Sequence, residues 1–421
     1  MSKFAVLGFG VVGSGVVELF YKNRAHIEQK AGQSMDIKYI LDIREFPDSP
    51  YADKFTKEMN VILQDEEVTA VAECMGGVEP AYTYVKSCLE HGKSVSTSNK
   101  ELVAEKGAEL LAIAAAQNCN FFFEASVGGA IPIIRPLHKC LAANDITEVS
   151  GILNGTTNFI LNKMIADKME FSDALALAQE LGYAEHNPAA DVEGHDACRK
   201  ICIISSLVFG KHVYPKNVYT KGITEIERDD VALAKLFGCA VKLIATVKRL
   251  DDGRILPAVM PMLVPADNLI SHVEGVFNAV MVTGDGIDKA MFYGRGAGKL
   301  PTASAVLGDV IDSVKHACTV FSQSWEPSDN ADFIAPVSER SARMFCRTAP
   351  CDMTLLPKLL REFFAPMIQE PGSGLQIVGL DASSGCGFLT PVPVNEQLAD
   401  QLTVKLANAG ISVVSRIPVL E

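Results

Sequence analysis

A short apolar run at the start of the chain leads through a glycine-rich loop into a helical pattern. The run "KFAVLG" is typical of a β-strand, and residues 11–30 carry apolar residues at helical spacing. The glycines between them follow the pattern G-x-G-x-x-G, in which they permit a tight turn, approach of a pyrophosphate and close helix packing. Because the loop joins a strand to a helix, it predicts a dinucleotide-binding site rather than a turn without a ligand. The predicted cofactor contacts in the loop are Gly8, Phe9, Gly10, Val11, Val12 and Gly13.

The rest of the first 125 residues repeats this alternation of strand and helix. Further strands are predicted at "DIKYILD", "VTAVAEC", "KSVSTS" and "NFFFEA", and helices at residues 81–91 and 101–118. Strands that alternate with helices form a parallel sheet with right-handed crossovers. We therefore predict an α/β fold that begins with a Rossmann dinucleotide-binding domain over residues 1–135.

The pattern changes after residue 135. Helices are predicted at residues 157–166, 171–181, 196–210 and 302–320, with antiparallel strands at "GCAVKLIATVKRL", "RILPAVMPMLV" and "GVFNAVMVTG". These elements predict an α+β catalytic and oligomerisation domain over residues 136–322, whose last helix is expected to pack back on the first domain. After a polar stretch, "SQSWEPSDNADF", that is expected to be a linker, residues 340–421 follow the order β-α-β-β-α-β and predict a third domain.

Composition excludes several classes of protein. With 421 residues, 48% of them hydrophobic and 21% charged, the chain is long enough for two or three globular domains. A net charge of −13 argues against a nucleic-acid partner, and no apolar run is long enough to predict a membrane span. The 11 cysteines form no Cys-x-x-Cys pair and lie mostly in apolar runs, which favours a reducing, cytoplasmic location without structural disulfides.

The second predicted strand ends at Asp42, and Arg44 follows two residues later. An acidic residue at this point binds the ribose 2′-hydroxyl of NAD, whereas a nearby arginine accommodates the 2′-phosphate of NADP. A charge on a surface turn is the alternative for either residue. The sequence therefore predicts a nicotinamide cofactor, NADP or NAD, and leaves the choice between them open.

The predicted helix over residues 196–210 is apolar on nearly every face, yet Asp196 and Lys200 stand one turn apart on it. On a solvated face such an ion pair contributes only about 0.3–0.5 kcal/mol. In a core, an ammonium group costs several kcal/mol unless it is paired, and burial beside a partner is how an enzyme prepares a lysine for proton transfer. Two interpretations stay open, a structural ion pair and an acid/base lysine in a cleft between cofactor and substrate.

A zinc site close to this helix is a weaker hypothesis. The ligand types are present, but the segment has no pair of histidines at helical spacing, and the nearby lysine would repel a cation. The four candidate ligands are His186, Asp191, Glu193 and His195.

Several separated blocks of the sequence resemble the homoserine dehydrogenase family. In order along residues 1–320 they are "GFGVVGSG", "TSNKELVA", "EASVGGAIPII", "ILNGTTNFIL", "LGYAEHNPAADVEGHDACRK" and "GRGAGKLPTASAVLGD". The resemblance implies reversible, NAD(P)-dependent interconversion of L-homoserine and L-aspartate β-semialdehyde, which supplies threonine and methionine biosynthesis.

The resemblance also implies roles for individual residues. Lys200 would exchange a proton with the substrate oxygen, and Lys100 of "SNK" would act near the nicotinamide. Asp196 and Asp191 would position the substrate, and Glu185 would hold its amino group. The catalytic set is thus Lys200, Lys100 and Asp196; the other expected contacts are Gly182, Tyr183 and Thr156 with the substrate, and Ser98, Lys100 and Gly298 with the cofactor.

The segment "EASVGGAIP" resembles the monovalent-cation loop of the family. Its ligands would be the Glu124 carboxylate and the backbone carbonyls of Val127, Gly129 and Ile131, and hard cations such as Na⁺ prefer such oxygens. A turn without an ion is the alternative.

The C-terminal tail resembles an ACT-type regulatory domain, which implies an amino-acid effector such as threonine. Its loop "TAPCDMTLL" has Pro350 and Asp352 but lacks the glycine of the usual Asp-Pro-Gly turn. Dimerisation alone is therefore the alternative role for this domain. A homodimer or homotetramer is expected.

Two other functions are alternatives to this one. A phosphorylating semialdehyde dehydrogenase needs a cysteine nucleophile at the start of a helix. The comparable segment "LNGTTNF" has Asn154, Gly155 and Thr156 there, which disfavours that enzyme. A non-catalytic nicotinamide-responsive binding protein would keep the glycine loop but would need no proton carrier.

Overall fold

The computed structural model describes residues 1–316, 319–321, 325–328, 330–368, 374–380 and 385–420. The chain divides into two compact units, each assembled from three separate stretches. The first unit comprises Met1–Thr147, Arg199–Asn217 and Val282–Ala331; the second comprises Glu148–Cys198, Val218–Met281 and Asp332–Glu421. The three domain ranges given above stay predictions.

The N-terminal part of the first unit is a parallel sheet with helices between its strands. Its elements are β1 (Ser2–Leu7), α1 (Val11–Lys22), α2 (Arg24–Ala31), β2 (Met35–Leu41), β3 (Phe55–Thr56), α3 (Met59–Gln64), β4 (Val68–Glu73), α4 (Ala81–Glu90), β5 (Ser94–Thr97), α5 (Lys100–Ala116) and β6 (Phe121–Phe122). The strand order is β3-β2-β1-β4-β5-β6, and neighbouring strands run parallel. The order reverses between β1 and β4, which leaves a crevice at the carboxyl edge of the sheet. The predicted Rossmann fold is confirmed.

The single helix predicted over residues 11–30 is in fact two helices. The chain bends at Asn23, which has φ −111° and ψ 17° and lies between α1 and α2. Asn is a poor helix former because its side chain competes for backbone hydrogen bonds. The bend lets both helices bury apolar residues in one core cluster, Phe20 from α1 and Ile27 from α2 among them.

The middle of the chain contains a second, mixed sheet. Its elements are β7 (Ile146–Ile152), α6 (Gly155–Ala166), α7 (Phe171–Glu180), α8 (Ala189–Val192), α9 (His195–Phe209), β8 (Tyr219–Thr220), α10 (Arg228–Leu236), β9 (Cys239–Arg249), β10 (Ile255–Pro265), β11 (Phe277–Gly284), β12 (Asp288–Arg295) and α11 (Lys299–Lys315). The strand order is β12-β11-β7-β9-β10-β8, and β9 and β10 pair antiparallel along their full length. The three predicted strands are present as β9, β10 and β11, and α8, β8, α10 and β12 are additional.

The C-terminal part of the second unit is a four-stranded antiparallel sheet with two helices. Its elements are β13 (Met344–Thr348), α12 (Leu355–Phe364), β14 (Gln376–Gly379), β15 (Cys386–Leu389), α13 (Glu396–Asn408) and β16 (Val413–Pro418). These elements follow the predicted order β-α-β-β-α-β along the chain, and the strand order in the sheet is β14-β15-β13-β16. Within this unit Arg347 of β13 is buried and pairs with Asp230 of α10, Nε to Oδ1, at 2.7 Å.

Late segments of the chain complete the core of the first unit. Helix α11 packs on α1 so closely that a Cβ atom on Gly15 would lie 3.3 Å from the Ala303 Cβ. The predicted linker over residues 322–333 lies partly outside the described residues, at 322–324 and 329. Its Trp325 is buried, with its ring edge-on to Phe123 at 5.5 Å and packed over Gly107. This part of the stretch is therefore anchored in the core.

Candidate active site

The glycine loop is shaped by close backbone contacts. Gly8 has φ +88°, a left-handed conformation that residues with side chains rarely adopt. A Cβ atom on Gly13 would lie 1.8 Å from the Gly8 carbonyl oxygen, so only glycine lets α1 pack against the turn. A Cβ atom on Gly10 would meet nothing within 4 Å. The loop therefore leaves open space beside Gly10, where a pyrophosphate can approach the backbone.

The start of α1 suits an anion. Gly10 is the residue before the helix, and no side chain of the described residues caps the first N–H groups. The first turn contains no acidic residue, so nothing there repels a phosphate. Uncapped N–H groups and the helix dipole favour a negative charge at this end. Val11 is exposed at this position, whereas Val12 packs against the core, so the loop fits the phosphates of a dinucleotide.

Asp42 connects the end of β2 to the glycine loop. Its Oδ2 accepts the Phe9 backbone N–H at 2.7 Å, and Oδ1 accepts the Arg44 backbone N–H at 3.0 Å. The Arg44 guanidinium also pairs with this carboxylate, Nη2 to Oδ2, at 2.9 Å. Hydrogen bonding to Arg44 is the largest cause that lowers the pKa of Asp42 to about 2. Arg44 itself is exposed and lies over the Phe46 ring, 5.2 Å from its centre.

The ends of β4 and β5 hold the first catalytic candidate. Lys100 is the first residue of α5 and is half-buried. Asn99 caps this helix, because its Oδ1 accepts the Leu102 N–H at 3.1 Å. Ser98 is joined to the neighbouring strand through its N–H, which donates to the Glu73 carbonyl at 3.2 Å. Ser98 and Lys100 therefore follow β5 directly, at the same edge of the sheet as the glycine loop.

The second candidate lies on α9. Asp196 and Lys200 are one turn apart, and their exposed fractions are only 4% and 7%. Arg199, which lies between them in the sequence, forms an ion pair with Glu101 of α5, Nη1 to Oε1, at 3.2 Å. A lysine and an aspartate buried on one helix exclude the interpretation of a solvated surface pair.

Asn154 joins two of the predicted substrate-binding carboxylates within the second unit. Its Nδ2 donates to Asp191 Oδ1 at 2.7 Å and to Asp196 Oδ2 at 2.9 Å. Its Oδ1 meanwhile caps α6 by accepting the Thr157 N–H at 2.9 Å. One buried amide thus fixes the separation of two acidic groups and ties them to the start of a helix.

The loop after α7 holds the other predicted substrate contacts. Gly182 has φ +72° and ends the helix. The Thr156 hydroxyl donates to the Tyr183 carbonyl at 2.8 Å, and the Tyr183 ring lies edge-on to Phe159 at 5.0 Å. Glu185 is exposed, and within the described chain its side chain makes no hydrogen bond. The structure therefore brings Thr156 and Tyr183 together and leaves the Glu185 carboxylate at the surface.

The segment from Glu124 to Arg135 wraps around one buried carboxylate. Glu124 Oε1 accepts the N–H groups of Ile133 at 2.6 Å and Ile134 at 2.9 Å, and Oε2 accepts that of Arg135 at 2.8 Å. The Glu124 N–H donates to Asp309 Oδ2 at 3.0 Å, and Asp309 forms an ion pair with Arg135. Burial raises the pKa of Asp309, against the opposing charge of Arg135.

The backbone oxygens of this segment are available as ligands. Within the described part of the chain, no donor bonds to the carbonyls of Val127, Gly129 or Ile131. Gly129 has φ +57°, and a Cβ atom there would lie 2.5 Å from the Gly296 carbonyl oxygen. A carboxylate offers about four acceptor positions, of which three are used on Glu124. The donor set, all oxygen, fits a hard monovalent cation.

Gly298 marks the start of α11. It precedes the helix with φ +129°, a conformation open only to glycine. The next residue, Lys299, forms an ion pair with Glu18 of α1 at 2.6 Å, which holds the start of α11 beside the first helix. Gly298 therefore lies in the unit that contains the glycine loop.

Other kinds of site are not found in the described residues. Among them, no three His, Cys, Asp or Glu side chains are grouped to hold a metal ion, and His195 pairs with Glu193 at 3.1 Å. None of the helices that the structure describes combines the length and the apolar character that a membrane crossing requires.

Comparison with known proteins identifies the family. The family model for the homoserine dehydrogenase NAD-binding domain matches residues 8–124, and the homoserine dehydrogenase model matches residues 132–311. The homoserine dehydrogenase of Lactococcus lactis is 34% identical over 419 residues, covering 96% of this chain and 98% of that protein. The chain belongs to the homoserine dehydrogenase family. The Bacillus subtilis homoserine dehydrogenase is 40% identical over 318 residues, covering 75% of this chain and 73% of that one.

Solved structures of homoserine dehydrogenases have the same fold. That of Thiobacillus denitrificans gives a TM-score of 0.87 at 32% identity and covers 100% of this chain and 98% of its own. A hyperthermophilic archaeal homoserine dehydrogenase in complex with NADPH gives a TM-score of 0.62 at 25% identity over 74% of this chain and 97% of that one. As a homoserine dehydrogenase, the chain is an NAD(P)-dependent oxidoreductase of amino-acid biosynthesis, and the two alternative functions are set aside.

The sequence did not predict one residue of this candidate site. Asn154 stood out only as the place where a cysteine nucleophile is missing, yet it bonds both Asp191 and Asp196. The only local signal is the Asn-Gly-Thr-Thr sequence of a capped helix start. That signal predicts the cap on α6 but not the two carboxylates.

Proposed function

We propose that this homoserine dehydrogenase uses Lys200 as its acid/base group and Asp196, Asp191 and Asn154 to hold the substrate. The observation that carries the proposal is the pair of carboxylates joined by Asn154: Asp191 is part-buried, and Asp196 is buried and stands one helical turn from Lys200. Homoserine carries an ammonium group as well as a hydroxyl, so acidic side chains and a proton acceptor must act on the same small molecule.

The chain's own residues would move one proton. The nicotinamide, when bound, supplies the hydride acceptor or donor. In oxidation of the alcohol, the Lys200 amine takes the hydroxyl proton as the carbon loses its hydride; in reduction, the Lys200 ammonium returns it to the carbonyl oxygen. Burial of Lys200, which is 7% exposed, keeps bulk water away from this exchange.

Further residues would orient the reactants. Lys100 at the start of α5 would act near the nicotinamide, with Ser98 and Gly298 as additional cofactor contacts. Glu185 would turn its exposed carboxylate to the substrate ammonium, and Gly182, Tyr183 and Thr156 would form the wall of the substrate site. The Thr156–Tyr183 hydrogen bond supports this arrangement by fixing the loop.

We propose that both NAD and NADP bind. Asp42 is placed at the end of β2, where its carboxylate can accept a ribose hydroxyl, and the exposed Arg44 guanidinium beside it can meet a 2′-phosphate. The two roles exclude each other at any moment, because Arg44 must leave Asp42 to reach the phosphate.

A monovalent cation such as Na⁺ would bind the segment 124–131. The ligands would be Glu124 through its remaining acceptor position and the carbonyls of Val127, Gly129 and Ile131. Threonine as effector of the C-terminal domain and assembly into a homodimer or homotetramer stay predictions from the family resemblance.

The test is a direct assay. Purified protein is mixed with L-homoserine and each oxidised cofactor, and absorbance of the reduced nicotinamide is followed for wild type, Lys200→Ala and the control Lys289→Ala. Lys289 is exposed on β12, so its loss should leave turnover unchanged. Lys200→Ala should lose turnover at least 1,000-fold while cofactor affinity changes less than threefold. Turnover near the wild-type rate in Lys200→Ala would refute the proposed role.

A further inference from the structure

A carboxyl group that the proposed mechanism does not use lies at the end of an inner strand of the parallel sheet. Glu73 is the last residue of β4, and none of its surface is exposed. It stands one residue before Cys74, whose carbonyl oxygen would lie 3.2 Å from a Cβ atom on Gly8. An acid in this place costs free energy unless hydrogen bonds compensate it.

The Glu73 carboxylate joins the loops that follow two adjacent strands. Oε1 accepts the Met75 backbone N–H at 2.6 Å, and Oε2 accepts a short hydrogen bond from the Thr97 hydroxyl. The Thr97 oxygen in turn accepts the Asn99 backbone N–H at 2.9 Å. One side chain thus holds the loop after β4 and, through Thr97, the loop after β5.

Asn99 carries this connection to the helix. Its Nδ2 donates to the Gly77 carbonyl at 2.6 Å, and its Oδ1 caps α5 at Leu102. Lys100 is the next residue, so the direction in which its side chain leaves the backbone depends on where Asn99 is held. The loop after β4 also packs closely on the glycine loop. A Cβ atom on Gly8 would lie only 2.9 Å from the Met75 Cγ.

We propose that Glu73 is a positioning residue for the reaction: through Thr97 and Asn99 it holds Lys100 in register with the glycine loop. This inference rests on the proposed catalytic role of Lys100. Glu73 is not expected to touch substrate or cofactor. A residue of this kind affects the rate through geometry, since displacing a catalytic group by about 1 Å can cost 100-fold.

The connection can be cut at two points with little change of volume. Glu73→Gln keeps an acceptor for Met75 and an amide that can donate to Thr97. Glu73→Leu removes both contacts, and Thr97→Val removes the hydroxyl alone. As a matched control, Asn120→Leu deletes another buried polar side chain of the same unit, which precedes β6 and bonds Thr319 and Phe321.

The experiment is a double-mutant cycle with Lys100→Ala. We measure kcat, KM for homoserine, cofactor affinity by fluorescence of the reduced nicotinamide, and the midpoint of thermal unfolding. Glu73→Leu and Thr97→Val should each lower kcat at least 10-fold with cofactor affinity within threefold, and Glu73→Gln should restore most of kcat. In the Lys100→Ala background the same changes should alter kcat less than twofold. Asn120→Leu should lower the unfolding midpoint without changing kcat.

Each contrary result has its own meaning. If Glu73→Leu lowers kcat by the same factor with and without Lys100, Glu73 does not act through Lys100, and the inference is overturned while the proposed function stands. If Lys100→Ala alone turns over like wild type, the role proposed for Lys100 falls and this inference falls with it. If Glu73→Leu does not fold, Thr97→Val and Glu73→Gln complete the cycle, and unchanged kcat in Thr97→Val overturns the inference.

Discussion

The side-chain amide nitrogen of Asn154 lies 2.9 Å from a carboxylate oxygen of Asp196. The same nitrogen lies 2.7 Å from Asp191, so two acidic groups converge on one neutral donor. Like charges held this close repel each other unless a donor or a cation compensates them. In the proposed function, the ammonium group of the substrate would be such a cation, and Asn154 would keep the two carboxylates in place for it.

Asn154→Ala should therefore reduce turnover more than it reduces stability. A hydrogen bond to a charged group is worth about 1.5–3 kcal/mol, which corresponds to a loss of roughly 10- to 100-fold in kcat/KM for homoserine. Loss of the cap on α6 should cost only about 1 kcal/mol. The matched control is Asn395→Ala, which removes the same kind of cap from α13. Equal activity losses in the two variants would show that capping alone explains the effect.

Two glycines of the cofactor loop should respond in opposite ways to alanine. Gly13→Ala places a Cβ atom 1.8 Å from the Gly8 carbonyl, so α1 must move, at a cost of about 1–3 kcal/mol in the free energy of unfolding. Gly10→Ala meets nothing within 4 Å and should leave stability unchanged, while its methyl group occupies the space for the pyrophosphate. Urea unfolding and cofactor titration of both variants test this. If Gly10→Ala binds the cofactor with normal affinity, the phosphates do not bind at this loop.

Asp42 and Arg44 should control cofactor choice in opposite directions. Arg44→Ala should raise KM for NADP about 10- to 100-fold, because an Arg–phosphate pair is lost, and should leave KM for NAD within threefold. Asp42→Ala should weaken NAD more than NADP, since it removes the acceptor for the ribose hydroxyl. Steady-state kinetics with each cofactor decide the matter. Parallel losses for both cofactors in Arg44→Ala would contradict a direct contact with the 2′-phosphate.

The stability of the protein should depend on pH through Glu73. Burial raises the pKa of Glu73 from 4.5 to about 7, and hydrogen bonds from Thr97, Met75 and Asn99 oppose this. The folded chain therefore binds the proton more tightly than the unfolded chain. The contribution of this group to stability is fully present below pH 4.5 and is lost as the pH rises through 7, a change of about 3 kcal/mol.

Glu73→Gln should remove this dependence. The difference in unfolding free energy between Glu73→Gln and wild type should shift by up to about 3 kcal/mol in favour of the variant between pH 5 and pH 8. The neighbouring Cys74 thiol does not interfere, because burial raises its pKa well above the usual value. Urea titrations at the two pH values measure the shift, and parallel pH curves for the two proteins would show that Glu73 does not titrate in this range.

The sequence predicted the elements whose apolar pattern is strong. Strands β1 and β4 are largely buried, mainly apolar runs next to glycine or turn residues, and the 11-residue strands β9 and β10 are mostly buried. It missed α10 and β12; β12 has only a four-residue apolar stretch at 290–293, and none of its residues is fully buried. The start of α10 does carry a local signal, the reciprocal capping of Glu227 and Asp230.

Residues of the candidate site could be predicted where a charged residue stands within an apolar stretch of the sequence. Asp196 and Lys200 are charged residues on an apolar helix, and both are buried as expected. Asn154 was not found because its contacts join residues 37 and 42 positions away, a relationship that no local pattern carries. Glu73 was not predicted for a similar reason. In the sequence, a single acidic residue at the end of a strand cannot be distinguished from an exposed acidic residue in a surface turn.

The discontinuous make-up of the first unit has a consequence for biosynthesis. Helix α11, which covers α1, belongs to the stretch that ends at Ala331, so it is translated long after the sheet it protects. At roughly 5–20 residues per second, the ribosome needs on the order of tens of seconds to deliver it. Throughout that interval the side of α1 that α11 later covers has no partner from that helix, so the core of the first unit is completed only after its last stretch has been made.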